Sequence, residues 1–281
     1  MSKKSTKLLD VIVIGAGASG MMAAITAARR GKSVAILERM NKPGKKILAT
    51  GNGKCNFTNN NMDTSRFHGN IQLIQSVLDR FSKEDTLSFF HEIGIWPKEK
   101  NGYYYPNSGQ AVSVVEAFNH ELNRLHVPVY LEQEVLDLFP DKYGFRIKTV
   151  QTSYTCRNVI VASGLLAASK LGSDGSMFSV IKELGHRFVP VLPALCGFYA
   201  KGIPFSKVAG VRCDANLTLK IDGDTATTEH GELQLTDYGI SGIPVFQISS
   251  PAVRALYEKK TVAVAIDFLP CLLYTSDAAD E

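Results

Sequence analysis

The clearest pattern of hydrophobic and polar positions lies near the start of the chain, over residues 10–38. Residues 11–14 form an unbroken apolar run, which favours a parallel strand buried on both faces. A helix is predicted over residues 21–30, where Met, Ala and Ile recur without proline. A second apolar strand is predicted at residues 33–37. Strand, helix and strand in this order predict a βαβ unit of a parallel sheet.

The turn between the first strand and the helix has G-x-G-x-x-G spacing, with Gly15, Gly17 and Gly20. The first glycine permits the tight turn, the second lets the backbone approach a pyrophosphate, and the third lets the helix lie close to the strand. The N-terminus of the helix attracts phosphate oxygens. Glu38 ends the second strand, eighteen positions after Gly20 (38 − 20). An acid there can bind a ribose hydroxyl, which favours FAD or NAD over NADP.

Residues 127–164 carry the second organised pattern. Short strands are predicted at 129–131, 134–139, 145–149 and 153–156, and a buried strand follows at 158–164. Such a meander before a returning parallel strand is typical of flavin-binding Rossmann variants, whereas NAD dehydrogenases repeat βαβ units. The predicted fold class is therefore α/β, a Rossmann-like FAD-binding domain with a β-meander.

Composition excludes several classes of function. The 281 residues are 45% hydrophobic and 21% charged, as in a globular protein of one large or two ordinary domains. A net charge of +4 is too small and scattered to predict a nucleic-acid partner. The five cysteines have neither C-x-x-C nor metal-ligand spacing, so we expect no metal site and a reducing, cytoplasmic compartment. We expect no signal peptide and no membrane partner, because every apolar run is too short.

Residues 39–59 are rich in glycine, asparagine and lysine, and we predict a long loop there. The P-loop pattern fails, because Gly53 and Lys54 are followed by Cys55. The residue types alone leave two interpretations, a ligand-binding loop and a flexible surface loop. Residues 96–110 are predicted to form a second loop, rich in Tyr, Gly, Pro and Asn.

The runs GAGASGMMAA, ILER and KPGKKILATGNGKCNFTN resemble a bacterial family of NAD(P)/FAD-dependent oxidoreductases. That family includes aminoacetone oxidase-like enzymes and dehydro-bile-acid reductases. The resemblance extends to about residue 270 and implies FAD as cofactor, with the 39–59 loop close to the isoalloxazine. It implies flavin contacts from Lys46, Lys54, Cys55 and Asn56.

The resemblance also implies that the backbone of Val135 meets the adenine and that Gly164 belongs to the family's A-T-G-G turn. Leu165 replaces the second glycine of that turn, and Met177 stands where the family has another glycine. Both departures put the local loop geometry or cofactor affinity in question.

The resemblance and the pattern together predict three segments. Residues 1–189 are expected to form the FAD-binding domain, and residues 190–270 an inserted, incomplete small β-barrel. Residues 271–281 resemble a translated adapter sequence and are expected to be a non-native tail. Family members continue well beyond this point, so the chain is expected to be a truncated fragment, and whether it is active and holds FAD is left open.

The predicted function is an FAD-dependent oxidoreductase that moves two electrons between a reduced nicotinamide, or another donor, and a small organic substrate. The alternatives are an NAD-dependent dehydrogenase and a flavin-holding module without turnover. No side chain is predicted as the catalytic acid or base. Lys46 or Lys54 could stabilise negative charge on the reduced ring, and Cys55 is expected to be a packed, inert thiol. The predicted cofactor-binding residues are Gly15, Gly17, Ala18, Ser19, Gly20, Glu38, Arg39, Lys46, Lys54, Cys55, Asn56, Val135 and Gly164.

Overall fold

The computed structural model describes residues 8–200 and 204–270. The chain divides into two compact units, Met1–Arg187 and Phe188–Glu281. The predicted tail at 271–281 lies outside the described residues.

The first unit alternates strands and helices. Its strands are β1 (Leu9–Ile14), β2 (Val34–Leu37), β3 (Thr58–Asn59), β4 (Pro97–Lys100), β5 (Tyr103–Pro106), β6 (Val129–Tyr130), β7 (Val135–Asp141), β8 (Gly144–Thr149) and β9 (Ser153–Val161). Its helices are α1 (Ala18–Arg29), α2 (Lys45–Ala49), α3 (Ile71–Leu78), α4 (Lys83–Glu92), α5 (Ala111–Arg124) and α6 (Met177–Glu183).

Six strands form the main sheet, in the order β6-β2-β1-β9-β8-β7. Strand β1 pairs in parallel with β2 and β9, whereas β7, β8 and β9 form an antiparallel meander. This confirms the predicted Rossmann-like sheet with its meander. The strands predicted at 153–156 and 158–164 are one continuous strand, β9. At Cys156 its pairing changes from antiparallel with β8 to parallel with β1, and the chain need not turn there.

The apolar runs form the core, as their lack of alternation predicts. Val13 and Ile36 on the central strands and Ile25 on α1 are fully buried, and all three belong to one cluster with Phe118 on α5. Helix α1 begins at Ala18, three residues earlier than predicted. Gly20 therefore lies inside the helix, whose first turn includes the end of the glycine motif.

A buried carboxylate ties three helices of this unit together. Glu121 on α5 is 7% exposed and accepts hydrogen bonds from Arg29 on α1 (2.9 Å) and from Arg124 (2.7 Å). Arg29 also pairs with Glu92 on α4 at 2.8 Å. The hydrogen bond from Arg124, followed by that from Arg29, lowers the pKa of Glu121 despite its burial.

We expect Glu121→Gln to lower the free energy of unfolding by about 2–3 kcal/mol at neutral pH, because it leaves two guanidinium groups without their shared carboxylate. The matched control is Glu116→Gln, at an exposed position of the same helix, which should cost less than about 0.5 kcal/mol. Because the pKa of Glu121 is depressed in the folded state, the stability that Glu121→Gln loses relative to the wild type should be largest above the ordinary glutamate pKa of 4.5. This loss should shrink as the pH falls below that value. Urea unfolding measures both variants, and equal losses would rule out this role.

Both predicted loops contain regular structure. Helix α2 occupies Lys45–Ala49 and a 3-10 turn follows at Thr50–Gly53, so the 39–59 segment is not one long loop. Residues 96–110 contain the hairpin of β4 and β5, to which β3 adds a third strand. The sequence prediction was wrong at both places, because tertiary pairing outweighs the loop-like composition.

The second unit is an antiparallel sheet with one long helix. Its elements are β10 (Phe198–Tyr199), β11 (Arg212–Ile221), β12 (Asp224–Thr236), β13 (Gly239–Gly242), α7 (Ile243–Tyr257) and β14 (Val262–Asp267). The strand order is β10-β13-β12-β11-β14, so β10 and β14 are the edges. Leu217, Leu233 and Ile248 are fully buried between the sheet and α7. The alternating strands expected in this region are present and form a curled antiparallel half-barrel in the described residues, which confirms the predicted incomplete barrel.

Candidate cofactor-binding site

A cleft of about 340 Å³ lies at the carboxyl ends of β1, β2 and β9 in the first unit. This is the edge of a Rossmann sheet at which ligands bind, because the loops after the parallel strands meet there. The volume is at the lower end of the range for cofactor pockets, about 300–1,000 Å³. Its walls are the glycine turn, the segment after β2, the start of β7 and the segment from the end of β9 to the start of α6.

The three glycines of the motif have different roles. Gly15 has φ +103°, and a Cβ atom there would lie 2.6 Å from the carbonyl oxygen of Ala162. A Cβ on Gly20 would overlap the carbonyl oxygen of Gly15. At Gly17, in contrast, a Cβ would meet no atom within 4 Å. Gly15 and Gly20 are therefore required by the backbone packing, whereas Gly17 keeps space open in the cleft.

Ala18 and Ser19 begin α1 and also line the cleft. The first intrahelical bond of α1 runs from the N–H of Met21 to the carbonyl oxygen of Gly17. The N–H groups before Met21 have no acceptor within the helix, which makes this end suited to an anion.

Glu38 is buried, with 8% of its surface exposed, and lines the cleft at the end of β2. Its Oε2 accepts a hydrogen bond from the N–H of Ala16 at 2.6 Å, and its Oε1 accepts one from the N–H of Met40 at 2.8 Å. The carboxylate therefore fixes the glycine turn and the segment after β2. Each oxygen can accept further hydrogen bonds on its remaining lone pair.

Arg39 connects the segment after β2 to the segment before α6. Its Nη1 lies 2.6 Å from Oδ2 of Asp174. The hydrogen bond from Arg39 lowers the pKa of Asp174 from 3.8 to about 2. The same hydrogen bond raises the pKa of Arg39. Both side chains are about one-third exposed, so the pair fastens one side of the cleft through a contact that solvent partly screens.

We expect Asp174→Asn to lower the free energy of unfolding by about 0.5–1 kcal/mol at pH 7, the usual value of a partly exposed ion pair. Since the folded pKa of Asp174 is depressed to about 2, the ion pair should contribute its full stabilisation of the folded state above pH 3.8. This stabilisation should disappear as the pH falls through about 2. Denaturant unfolding across this range, with exposed Asp141→Asn as the control, measures the difference. A difference independent of pH would contradict the assigned ion pair.

Lys46 lies beside Gly164 and fastens the other side of the cleft. Its ammonium group donates to the carbonyl oxygen of Ala167 at 2.8 Å and to Oγ of Ser173 at 2.7 Å. Gly164 has φ +81°, and a Cβ there would overlap Oγ of Ser173. This turn therefore requires glycine, while one N–H of Lys46 is left for another acceptor.

The segment after α2 turns sharply and lies next to a second, largely apolar cavity of about 380 Å³. Asn52 and Cys55 have left-handed backbones, with φ of +53° and +57°. Cys55 and Asn56 line this second cavity and do not line the cleft. Lys54 is exposed and lines neither of them. Four residues, Ala18, Ser19, Ile47 and Thr50, are common to the walls of both cavities.

Cys55 is 6% exposed, and burial raises its pKa. Its thiol is therefore protonated at neutral pH and a poor nucleophile.

Nine of the thirteen predicted cofactor-binding residues lie together on the cleft: Gly15, Gly17, Ala18, Ser19, Glu38, Arg39, Lys46, Val135 and Gly164. Gly20 packs α1 onto the sheet, and Lys54, Cys55 and Asn56 lie elsewhere. The assignment of all thirteen as cofactor contacts stays a prediction.

The two departures from the family pattern have different surroundings. Leu165 is 53% exposed, so its side chain takes no part in the core. Met177 is 3% exposed and packs in the apolar cluster under the cleft, with Leu37 and Val135. A glycine could not fill this space, so Met177 supplies part of the cleft floor.

Sequence reasoning missed Gln133 and Ser173, which line the cleft, and Asp174, which pairs with Arg39 of the cleft wall. Ser173 and Asp174 lie in the turn at residues 172–177, between Gly172 and Gly175. These two glycines were the available sequence signal for the turn. Gln133 belongs to no motif, and only the fold brings it to the cleft.

Among residues 8–200 and 204–270, no group of His, Cys, Asp and Glu is arranged to hold a metal ion. No helix in these same ranges is both long enough and apolar enough to cross a membrane.

The sheet, the glycine turn and the acid after β2 together define a Rossmann-type dinucleotide-binding fold. The chain belongs to the HI0933-like family, since the family described as "HI0933-like protein Rossmann domain" matches residues 9–259. It is 45% identical over 261 residues to 3-dehydro-bile acid delta(4,6)-reductase of Clostridium scindens. That alignment covers 92% of this chain and 64% of the relative.

A second relative is the ribosomal RNA dihydrouridine synthase of Haemophilus influenzae, 31% identical over 270 residues. That alignment covers 92% of this chain and again 64% of the relative. The chain thus spans about two-thirds of the length of these relatives. Among solved structures, the open conformation of a flavocytochrome c3 fumarate reductase matches with a TM-score of 0.52 at 14% identity. This match covers 75% of the chain and 48% of the reductase, and it supports the fold alone.

Proposed function

We propose that this chain is the cofactor-holding part of an FAD-dependent oxidoreductase that uses a reduced nicotinamide to reduce a small organic substrate. The observation that carries the proposal is the open space at Gly17 beside the N-terminus of α1, with the buried carboxylate of Glu38 on the same cleft. A pyrophosphate suits the first feature and a ribose the second. The meander after β6 favours FAD over NAD as the bound dinucleotide.

The residues present fit this cofactor. The free N–H groups of α1 would bind the phosphates, Glu38 would accept hydrogen bonds from the adenosine ribose, and the backbone at Val135 would adjoin the adenine. Arg39 and Lys46 would hold the segment at residues 163–176 against the bound molecule through Asp174 and Ser173. The flavin, when bound, supplies the two-electron chemistry.

The substrate class is drawn from the Clostridium relative, whose name describes a reductase of dehydro-bile acids. A ketone of that kind, with a conjugated double bond, is the first substrate to test. The dihydrouridine synthase relative is less similar, at 31% identity, so an RNA substrate is the second candidate to test.

The test is to load the purified chain with FAD, remove oxygen and add NADH or NADPH. We expect the bound flavin to lose its visible absorbance, and the candidate ketone to restore it. Gly17→Ala is the matched control and should not hold FAD. Bound flavin that neither nicotinamide reduces would favour a holding module. A chain that binds NADH but no flavin would favour a dehydrogenase and contradict the proposal.

Of the thirteen predicted cofactor-binding residues, Lys54 has the position least favourable to a flavin contact, because it lines neither cavity. If it does approach the isoalloxazine, Lys54→Ala should lower the flavin reduction potential, since a nearby cation stabilises the reduced ring. Lys98→Ala, at an exposed position on β4, is the control. A potential equal to that of the wild type would remove Lys54 from the site.

A further inference from the structure

Gln133 is a buried amide on the wall of the cleft that neither the motif nor the family resemblance assigns. It is 7% exposed and lies two residues before Val135. Its backbone N–H donates to the carbonyl oxygen of Glu38 at 2.9 Å. Gln133 therefore adjoins the acid at the ribose position.

One end of this amide is already occupied. Oε1 accepts a hydrogen bond of 2.8 Å from the hydroxyl of Thr149, which is itself 4% exposed. The hydroxyl of Thr149 shares its one proton with the carbonyl oxygen of Thr152 at 2.9 Å, and in this arrangement the NH2 group lies at the other end of the Gln133 amide. That NH2 group has no hydrogen-bond partner among the described residues, and it is not one of their fully buried unpaired atoms. Gln133 as a residue lines the cleft, which brings this end of the amide within reach of a bound ligand.

A ligand that covers this donor without offering it an acceptor would lose about 1–3 kcal/mol, so the site favours a ligand with an acceptor there. The base of an adenine nucleotide fits this requirement, because its ring nitrogens are acceptors and it lies beyond the ribose. The floor beside Gln133 is apolar, with Leu37, Val135 and Met177, and it suits the face of a planar ring.

We propose that Gln133 is a specificity-determining residue whose amide NH2 donates to a ring nitrogen of the adenine base. The inference rests on the proposed function only in that the cofactor is an adenine dinucleotide. It goes further by naming the side chain that recognises the base. Thr149 is then a positioning residue, which acts only through Gln133.

The experiment uses Gln133→Glu, which keeps an oxygen to accept from Thr149 and replaces the donor with a carboxylate oxygen. The probes are ADP, which carries the base, and inorganic pyrophosphate, which lacks it. Both suit the 281-residue chain, because the cleft lies wholly within residues 14–177. Isothermal calorimetry gives both dissociation constants, and thermal unfolding checks the fold.

We expect ADP to bind the variant at least about tenfold more weakly, as for the loss of one hydrogen bond, with pyrophosphate changed less than about twofold. The matched control is Gln151→Glu, the same replacement at an exposed position whose amide donates to the carbonyl oxygen of Glu132 at 3.0 Å. It should leave both constants unchanged.

Three outcomes would overturn the inference. They are equal ADP binding by the variant and the wild type, equal losses for ADP and pyrophosphate, and no ADP binding by the wild type. Gln133→Leu, which removes both ends of the amide, provides a second variant if Gln133→Glu unfolds. Failure of a nicotinamide to reduce bound FAD would contradict the oxidoreductase proposal alone, because the ADP measurement does not involve the flavin.

Discussion

Replacing Gly17 with alanine is expected to weaken ADP and FAD binding by about 100-fold or more while leaving the fold intact. A Cβ atom there would meet no protein atom within 4 Å, and the backbone angles of φ −79° and ψ −175° suit any residue. The methyl group would occupy the space in which a pyrophosphate must approach the N–H groups of α1. We expect the free energy of unfolding to stay equal or rise by about 0.4–1 kcal/mol, because alanine restricts the unfolded chain.

Gly20→Ala is the matched control, since the same methyl group is added three residues away. Its Cβ would overlap the carbonyl oxygen of Gly15, so α1 would have to move away from the sheet. We expect a loss of about 3 kcal/mol or more in stability. Thermal unfolding and calorimetry with ADP separate the two effects. If Gly17→Ala destabilised the chain as much as Gly20→Ala, or bound ADP normally, the assigned roles would be wrong.

The sequence predicts the first strand, turn and helix well because the signals there are local. Apolar residues 11–14 can only be buried, Gly15 must take a left-handed backbone, and a helix that starts on a glycine turn needs no distant partner. The same holds for part of the meander, since the predicted alternation is present in β8. The acid at Glu38 is found by its spacing alone.

The rest of the cleft could not be read from the chain, because it forms between segments distant in sequence. Lys46 meets Ser173, and Arg39 meets Asp174, across more than a hundred residues. No local pattern encodes such pairs. Gln133 was missed for the same reason, since its role depends on Thr149 and on the cleft, and an isolated glutamine before a strand carries no signal.

Cys55 and Asn56 illustrate a limit of motif-based assignment. The G-N-G-K-C-N run identifies the family, yet its left-handed residues turn these two side chains into the second cavity. A run of residues can therefore recur within a family because its backbone must turn sharply. Membership of such a run therefore does not by itself make a residue a ligand contact.

Glu38 combines a ligand role with a structural one, and its replacement should show both. Sequence spacing predicts only the hydrogen bond to a ribose, whereas the structure adds two backbone N–H groups, of Ala16 and Met40, held by the same carboxylate. Glu38→Ala leaves both groups without their acceptor in a buried place. We expect the free energy of unfolding to fall by about 2–4 kcal/mol and ADP binding to weaken by about 10–100-fold.

Glu38→Gln tests the geometry further. The amide keeps the shape of the side chain, but its NH2 group must face the N–H of either Ala16 or Met40, so it should recover less than half of the lost stability.

Glu134→Ala is the control for charge, because Glu134 also lines the cleft but is exposed. Removing its negative charge should leave the stability unchanged and, if anything, tighten binding of the anionic ADP. Urea unfolding with and without ADP gives both quantities for each variant. Glu38→Ala with wild-type stability would show that the two backbone contacts are dispensable, and wild-type ADP affinity would remove Glu38 from the ribose position.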